Sequence, residues 1–478
     1  MGVGAMTEIG RLTRNELVKT FTRRSVKIVL AVILALVLAY HGIVNLTQKN
    51  NERYQDTDYA MENLRSQLEY YVTNKPDGYE IESERVRLML DNRINPFELS
   101  WRLDAVDDVA TLLRQQRAAE NESDFLTAQA IQEQIDREKE WIASDDYRAY
   151  FADKVKSAKG NYELNEESRK ALAEQYQYVL DYSVAAAGSE WKYRLYSNII
   201  SAQNELSDFN RQQSQGMSGD PKRVSQLQKS LLVAKYRIEN ERKVVAVGGD
   251  GNYYYGTPST YWEVFYRSGE TLTLAALFAI VLAAILLSGE FATGTVRALF
   301  AAPAGRGKIL IAKYLAVLLS ALALCAGLYA WNAMAAGFFH GFGEIGAKYL
   351  YVSGETVHEI SGFWPAALHY LLLYLRVAVF ATMGLCLGAL FRNAAVPIAI
   401  GSICVLVGPY AASYLQYSLG QDWAKYLLFA NLNFDTLFQG GQSYQTQTIA
   451  FALIVVGVHL VVFLLTAWDA FVRRDVKF

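Results

Sequence analysis

The chain has 478 residues, of which 52% are hydrophobic and 20% charged, and its formal net charge is −2. This composition excludes neither a large soluble protein nor a membrane protein, so the distribution of apolar residues along the chain has to decide. Long runs almost free of charge, one at residues 28–46 and five after residue 270, alternate with hydrophilic stretches. A helix of about 18 or more apolar residues crosses the roughly 30 Å of bilayer hydrocarbon, so the sequence predicts an integral membrane protein.

Charge and cysteine are unevenly distributed as well. Residues 47–268 contain 29 Lys+Arg and 37 Asp+Glu, which leaves the rest of the chain with a net positive charge. Neither part is basic enough to indicate nucleic-acid binding. Because Cys325, Cys386 and Cys404 all lie in apolar runs, residues 47–268 have no disulfide and no thiolate metal site. We expect packing alone to stabilise that segment.

The first predicted element is a basic amphipathic helix before residue 28. Its helical wheel places apolar residues on one side and two arginines opposite: Ile9, Leu12, Leu17 and Phe21, against Arg11 and Arg14. This pattern is typical of a helix in the cytoplasmic headgroup layer, where apolar burial and anionic lipid hold it. The alternative is a basic flank that only sets the topology of the first span.

Six spans are predicted, at residues 28–46, 271–288, 314–339, 366–390, 396–417 and 448–468. The first is longer than the apolar region of a signal peptide and no cleavage pattern follows it, so we expect it to be retained. One side of the membrane would carry 14 Lys+Arg in its short segments and the other only Lys348 and Lys425. The positive-inside rule therefore predicts a multi-pass protein of the plasma membrane with both termini cytoplasmic and residues 47–268 outside.

The segment between the first two spans is predicted to be an α-helical extracellular domain. Residues 97–159 contain no proline or glycine and are rich in strong helix formers, which predicts long helices. Breaks are expected near Pro76, Pro96, Gly160 and Gly188 and at residues 216–221 and 248–258. We expect antiparallel helical hairpins, largely without sheet, that resemble coiled coils.

The last helix of this segment is predicted to begin with Asp220 as N-cap and Pro221 as its first residue. Five apolar residues follow at helical spacing: Val224, Leu227, Leu231, Ala234 and Ile238. Such a stripe favours a packing seam within the domain over a dimerisation zipper.

The predicted fold class is therefore an all-α membrane protein with three parts. Residues 1–46 form a cytoplasmic amphipathic helix and the first span. Residues 47–268 form the extracellular helical domain. Residues 269–478 form spans two to six, with a cytoplasmic coupling loop at residues 289–313.

Aromatic residues are concentrated just before the second span. Tyr261, Trp262 and Tyr266 belong to this group, for which an interfacial aromatic belt is the default interpretation. The alternative is that the rings line a site for an amphipathic substrate that enters from the bilayer.

The most informative segment is the loop at residues 289–313. Gly294 favours the end of one helix and Thr295 the start of the next, and Pro303 ends that short helix. A short rigid helix below two spans is suited to transmit force from a cytoplasmic partner. The residues that we assign to this coupling role are Glu290, Gly294, Thr295, Val296, Leu299, Phe300, Pro303 and Arg306.

At these residues the chain resembles the permease subunits of type 2 ABC exporters. In that family a Glu-x-x-x-Gly-Thr sequence, then Pro-x-x-Arg and a lysine, opens the third span. This chain has these residues in the same order, as Glu290, Gly294, Thr295, Pro303, Arg306 and Lys313. The N-terminal helix, the six spans and the sequence 390–393 at a tight turn extend the resemblance over a little more than half of the chain.

The resemblance implies that two permease subunits, identical or related, pair in the membrane and that two cytoplasmic ATPase subunits dock on them. ATP and Mg would then be bound by the ATPase, and this chain would bind no cofactor and would not itself be an enzyme. The family also implies that residues 422–438 dip back toward the membrane. Export of an amphipathic compound or peptide, as in antibiotic export or self-protection by bacteria, is the usual role. The large extracellular domain departs from compact members of the family.

Few other residues indicate chemistry. Arg376 lies about ten residues into the fourth span, where a charge requires a partner, and it is our intramembrane candidate. Contact with substrate is one interpretation of Arg376, and snorkelling or a structural pair with a backbone carbonyl is the equal alternative. Residues 303–308 lack the spacing of a phosphate loop. The histidines do not form a recognisable metal site, and no catalytic triad or carboxylate pair is evident.

Two other functions remain open. The chain could be a membrane-anchored sensor or envelope scaffold whose extracellular helices bind a ligand or a protein. A secondary transporter is disfavoured, because such folds usually show inverted repeats and several intramembrane charges, whereas Arg376 is nearly alone here. Neither the substrate nor the direction of transport follows from the sequence.

Overall fold

The computed structural model describes residues 3–215, 221–246, 260–292, 305–391, 393–438 and 447–473, with only the backbone of residues 3–5, 54–55, 222, 290–292 and 417. The protein is mostly helical and divides into two units. Unit 1 consists of Met1–Asn45, Pro258–Ala347 and Ser361–Phe478. Unit 2 consists of Leu46–Thr257 and Lys348–Ile360. Two separate stretches of chain therefore build unit 2.

Helices long and apolar enough to cross a membrane number six among the described residues. Spans 1 to 6 are Arg24–Arg53, Tyr261–Gly289, Arg306–His340, Phe363–Leu390, Ala395–Gln416 and Ile449–Arg473. Six membrane-spanning helices were predicted from the apolar runs, and the structure has six candidates, most of them extending beyond the predicted bounds.

The elements of unit 1 follow the chain. They are α1 (Val3–Thr22), α2 (Arg24–Gln55), α11 (Tyr261–Arg267), a 3-10 turn (Ser268–Thr271), α12 (Leu272–Ala292), α13 (Arg306–His340), α14 (Phe363–Leu390), α15 (Ala395–Tyr417), two 3-10 turns (Asp422–Tyr426 and Leu428–Asn431), α16 (Phe434–Phe438), α17 (Ile449–Trp468) and a final π turn (Asp469–Arg473). Span 2 comprises α11, the first 3-10 turn and α12. The end of α2 continues into unit 2.

Small residues bring spans 2 and 4 together. A Cβ added at Gly384 would lie 3.0 Å from the Cα of Ile280, and one at Gly388 would lie 3.3 Å from the carbonyl oxygen of Ala283. Gly384 and Gly388 are four residues apart and therefore lie on one face of span 4, as in the small-xxx-small pattern of membrane helices. Ser288 strengthens the contact by donating a hydrogen bond to the carbonyl of Gly388 at 3.0 Å.

Unit 2 contains eight described helices in addition to the end of α2. They are α3 (Thr57–Asn74), α4 (Tyr79–Asp91), α5 (Trp101–Asn121), α6 (Phe125–Ser144), α7 (Tyr147–Gly160), α8 (Glu166–Asp181), α9 (Glu190–Ser214) and α10 (Pro221–Glu239). Their inner faces form one hydrophobic core that includes Leu64, Val109, Ile135, Ile199 and Ile238. The predicted breaks at Pro76, Pro96, Gly160 and Gly188 are confirmed.

The long helices that we expected in residues 97–159 are shorter than predicted. Ser123 and Asp145 adopt left-handed backbone conformations (φ 61° and 56°) and end α5 and α6 without glycine. Asp124 and Asp146 then cap the next helices by accepting hydrogen bonds from backbone N–H groups. The prediction was wrong because it took the absence of Gly and Pro as continuity, although polar residues also form caps and turns.

The apolar stripe of α10 packs inside unit 2, as predicted. Leu227, Ala234 and Ile238 are buried, and the last two belong to the core of the unit. The predicted cap Asp220 lies outside the described residues, whereas Pro221 is the first residue of α10.

A β-hairpin was not expected. Its strands β1 (Lys348–Ser353) and β2 (Thr356–Ser361) lie between spans 3 and 4, and Gly354 supplies a left-handed conformation (φ 64°) at the turn. Ala246 pairs with Tyr349 in parallel, and its N–H donates to the carbonyl of Lys348 at 2.9 Å. A chain segment after α10 and the hairpin thus belong to the same unit. The hairpin corrects the predicted all-α fold class, whereas the described part of residues 47–268 is largely without sheet, as predicted, with one bridge residue at Ala246.

One carboxylate joins the hairpin to α10. Glu359 accepts hydrogen bonds from Arg242 through Nε (2.8 Å) and Nη2 (3.2 Å) and from the hydroxyl of Tyr236 (3.1 Å). Two parallel N–H donors fix the direction of a carboxylate better than a single donor. Glu359 therefore fixes the hairpin to the helical part of unit 2.

Candidate functional site

Most of the predicted coupling loop lies outside the described residues. This holds for Gly294, Thr295, Val296, Leu299, Phe300 and Pro303, and for the side chain of Glu290, whose backbone continues span 2. Arg306 is described and begins span 3, where its Nη1 lies 3.5 Å from the carbonyl of Val472 at the end of span 6. The coupling role of these residues stays a prediction.

Immediately after that loop, the N-terminal helix α1 packs against the start of span 3. Nζ of Lys313 lies 3.4 Å from a carboxylate oxygen of Glu16, and Nζ of Lys308 lies 2.6 Å from Glu8. Lys313 is completely buried and Glu16 nearly so. Removal of one partner of a buried ion pair is strongly destabilising, because the other charge then stays in the interior without that partner.

The face of α1 that packs in the protein differs from the predicted apolar face. Its buried stripe consists of Ile9, Thr13, Glu16 and Thr20, with Leu12 and Leu17 only partly buried and Phe21 exposed. Both threonines satisfy their hydroxyls within the helix by donating to the carbonyls of residues 9 and 16. The wheel predicted the face that meets lipid, and that stays a prediction; Glu16 packs against the protein because it has a lysine partner 297 residues away, which no local pattern reveals. Arg11 and Arg14 are exposed, as predicted.

The three predicted aromatics are buried inside unit 1. Tyr261 and Trp262 are each 1% exposed and Tyr266 is 9% exposed. The indole of Trp262 donates to the carbonyl of Glu344 at 2.8 Å and packs edge-on against Phe363, with ring centroids 5.0 Å apart. These contacts join the start of span 2 to residues around spans 3 and 4.

Arg376, the predicted intramembrane candidate, has a carboxylate partner. Its Nη2 lies 3.4 Å from Oε2 of Glu270 in the turn between α11 and α12. The side chain of Arg376 is 13% exposed and that of Glu270 is 69% exposed. The sequence interpretation overlooked Glu270, because it placed the boundary of the span one residue after that glutamate.

A second pair lies on the same helix, one heptad before Arg376. Nδ1 of His369 lies 3.8 Å from Oδ2 of Asp435 on α16, and the imidazole stacks on the ring of Tyr266 with centroids 4.0 Å apart. The ring fits because Gly269 has no side chain, since a Cβ there would lie 2.7 Å from Nε2. We call Glu270, His369, Arg376 and Asp435 the polar cluster. The sequence had suggested that Arg376 is nearly the only charge within the spans. The structure instead places it in a cluster with three other titratable side chains.

A hydrogen-bond network connects four spans beside the polar cluster. Nε2 of His41 lies 3.0 Å from Oδ1 of Asn332, whose amide nitrogen donates to Oγ1 of Thr271 at 3.0 Å. Ser268 and Tyr370 join their hydroxyls at 3.1 Å. The residues come from the later parts of spans 1 and 3 and the early parts of spans 2 and 4, which by alternation of the helices lie at one end of unit 1.

The segment between spans 5 and 6 packs onto spans 4 and 5. The ring of Phe429 is stacked on that of Phe380, with centroids 6.3 Å apart, and occupies the space left open by Gly408. Asn431 is fully buried and donates to the carbonyls of Lys425 and Leu427, at 2.7 and 2.9 Å. This packing brings Asp435 to His369.

Unit 2 has a candidate site of its own. A cavity of about 210 Å³ opens between the starts of α5 and α9, and Arg93, Trp101, Arg102, Glu190 and Tyr193 contribute to its walls. Its walls combine both signs of charge with aromatic surface. Sequence reasoning did not identify it, because its walls come from four separate segments.

Within the described ranges, no group of three His, Cys, Asp or Glu side chains is arranged to hold a metal ion. The polar cluster offers two carboxylates, a guanidinium and an imidazole.

Comparison with known proteins finds that part of the chain is similar to a family whose function is unknown. Residues 244–477 match the model of a family described as "Protein of unknown function (DUF2705)". The match covers spans 2 to 6 and leaves out most of unit 2. No solved structure matches the chain.

Two curated proteins of Bacillus subtilis (strain 168) are similar. The "Uncharacterized protein YhcI" is 27% identical over 297 residues, which are 62% of this chain and 87% of that protein. The "Uncharacterized membrane protein YdbK" is 28% identical over 239 residues, or 50% of this chain and 89% of that protein. Both relatives are shorter than this chain. The six apolar helices and the membrane-protein relative together indicate a multi-pass membrane protein.

Proposed function

We propose that the chain is the permease subunit of an ATP-binding cassette exporter that works with a separate ATPase. The transported molecule would be an amphipathic compound or peptide. In this proposal both termini and residues 289–313 face the cytoplasm, and unit 2 lies outside. A second permease subunit, identical or related, completes the pathway.

The observation that carries the proposal is the ion pair of Lys313 with Glu16. Lys313 is the last residue of the motif by which the chain resembles these exporters. A partner that pushes on residues 289–305 moves the start of span 3, and α1 has to follow because the buried pair resists separation. Such a linkage is suited to transmit a nucleotide-driven movement to the membrane helices.

The polar cluster supports the proposal at the other end of unit 1. Charged groups that pair between membrane helices are typical of pathways and gates, because they are unfavourable in lipid. The pair of Arg376 and Glu270 and the approach of His369 to Asp435 connect span 4 to two different elements. Both contacts would break if span 4 moved away from these two elements.

Co-purification tests this function. The tagged full-length chain, extracted from its native membrane in mild detergent, should carry a nucleotide-binding subunit in equal number. Glu290→Ala and Gly294→Trp should each reduce the retained ATPase by about tenfold, as expected when a central contact of an interface is lost. Glu133→Ala, at an exposed site in unit 2, is the matched control and should retain it fully. Absence of any ATPase from the wild-type preparation would contradict the proposal.

The alternative function, a sensor or envelope scaffold, is favoured by the cavity of unit 2 and by its separate core. A deletion separates the two functions, and the structure changes its design. Removal of residues 50–254 alone would leave the hairpin without its partner helices, so residues 348–360 must be replaced by a short linker as well. Retained ATP-dependent export would make unit 2 accessory, whereas lost partner binding with export intact would favour the scaffold.

A further inference from the structure

His369 has one ring nitrogen occupied and one free for a proton. Nδ1 has no hydrogen-bond partner among the described residues, whereas the imidazole donates a hydrogen bond to the backbone carbonyl of Tyr266. That donor must be Nε2. A neutral imidazole carries only one N–H, so in the neutral form Nδ1 presents a lone pair. The carboxylate of Asp435 faces this lone pair at 3.8 Å.

Protonation of His369 changes the contact between Nδ1 and Asp435 from repulsive to attractive. An imidazolium carries N–H on both nitrogens, so Nδ1 becomes a donor toward the carboxylate of Asp435. A charge-assisted hydrogen bond needs a separation of about 2.7–2.9 Å, so a movement of about 1 Å would complete it. In the neutral form the lone pair and the carboxylate repel each other, and the contact favours separation.

Three charged side chains surround His369 among the described residues. Glu270 approaches from the turn between α11 and α12, Arg376 lies on the same helix, and Asp435 comes from α16. Tyr266 and Tyr370 complete the surroundings as ring neighbours. Because Arg376 is engaged by Glu270, Asp435 is the carboxylate that faces Nδ1.

Movement of Asp435 involves a whole segment. Phe434 and Leu437 flank it on α16 and are buried. The two 3-10 turns before α16 are held together by the amide of Asn431. A change at Asp435 therefore alters how residues 422–438 pack against span 4.

We propose that His369 and Asp435 form a proton-binding pair that holds residues 422–438 against span 4 when His369 is protonated and loosens them when it is neutral. The proton comes from solvent and binds at Nδ1, and no other group needs to change its charge. The segment is thus held at acidic pH and released as pH rises through the titration of His369. This switch does not depend on which molecule the protein transports or on any ATPase.

Electron paramagnetic resonance of a nitroxide label on residue 438 tests the proposal. Phe438 is 56% exposed at the end of α16. The full-length protein, with Cys325, Cys386 and Cys404 replaced by alanine, receives Phe438→Cys and the label. Between about pH 4 and pH 8.5, a range that extends well below the titration of an exposed histidine, the ratio of mobile to immobile signal should rise by about tenfold or more, because a charge-assisted hydrogen bond stabilises the held form by roughly that factor.

Two variants and one control make the result decisive. His369→Gln and Asp435→Asn should each make the ratio independent of pH, and size-exclusion profiles check that both remain folded. A label at Leu419→Cys, exposed before the segment, should report no transition. A flat wild-type profile would overturn the proposal, and so would a transition that survives either substitution.

Discussion

Units 1 and 2 bury polar groups for different reasons. Unit 2 has a charged surface and a large aliphatic and aromatic core, so exclusion of water drives its helices together. In unit 1 the outward side chains are apolar, including Ile403 and Leu465. If lipid surrounds them, burial of further apolar surface gains little. Small residues such as Gly384 and polar pairs such as Glu16 with Lys313 then have to specify which helices meet.

Unit 2 also contains buried polar groups, but these lie within a large hydrophobic core. Tyr150 and Tyr193 donate to Asp108 and Asp104, each at 2.5 Å. Lys154 pairs with Asp108 at 2.6 Å. Burial raises the pKa of both tyrosines and of Asp104. These groups fix the relative register of α5, α7 and α9, whereas hydrophobic contacts stabilise the unit.

The largest effect on the free energy of unfolding is expected at Lys313. Lys313→Ala leaves Glu16 buried without this cation, and the free energy of unfolding should fall by about 3–5 kcal/mol. Chemical denaturation in mixed micelles measures it. Lys19→Ala removes an exposed partner of the same carboxylate and should cost less than about 1 kcal/mol. Equal losses would mean that burial of Lys313 does not matter.

Close packing of spans 2 and 4 gives the next effect. Gly384→Val forces new atoms against the backbone of Ile280 and should destabilise the protein by about 1–3 kcal/mol. The matched control is Gly327→Val in span 3, where a Cβ meets nothing within 4 Å. Chemical denaturation in mixed micelles measures the free energy of unfolding of both variants. If Gly384→Val left it unchanged, small residues would not be needed at this contact.

In unit 2, burial of Glu138 should make the free energy of unfolding depend on pH. Burial raises its pKa, which nearby Lys154 partly opposes. The folded state therefore binds the proton more strongly than the unfolded chain. This contribution to stability is present below about pH 4.3 and is lost as pH rises through the folded pKa.

Glu138→Gln removes that dependence. The variant should be as stable as the wild type at pH 7, or up to about 1 kcal/mol more stable, and its melting temperature should vary less between about pH 4.5 and 7. Asp104 contributes with the same sign, so the slope should diminish rather than vanish. Glu133→Gln on the exposed side of α6 should leave the slope unchanged, and an unchanged slope for Glu138→Gln would show that this glutamate is solvated.

The smallest effect is expected at the hairpin. Glu359→Gln weakens the contact with Arg242, which is half-exposed, and should cost about 0.5–1 kcal/mol locally. Amide hydrogen exchange in residues 348–360 should accelerate several-fold while the core helices α5 to α9 keep their rates. Glu355→Gln at the turn is the control. Acceleration throughout unit 2 would mean that the hairpin stabilises the whole unit.

The sequence by itself determined the elements whose signal is local. Apolar runs specify six candidate spans, because hydrocarbon thickness sets a minimum length. Proline and glycine specify the breaks near Pro76, Pro96, Gly160 and Gly188 in unit 2, and apolar spacing specifies the buried stripe of α10. Local signals were also present for the turns at Ser123 and Asp145 and for the alternating residues of the hairpin, although our interpretation passed over them.

Only the tertiary structure decided which distant residues meet. Glu16 finds Lys313, His369 faces Asp435, and Glu359 binds Arg242, at separations that no periodicity encodes. The physical reason is that a charge or imidazole specifies what kind of partner it needs but not where along the chain that partner lies. Arg376 could be predicted to require a partner, but only the packing of span 4 against the turn at Glu270 supplied it.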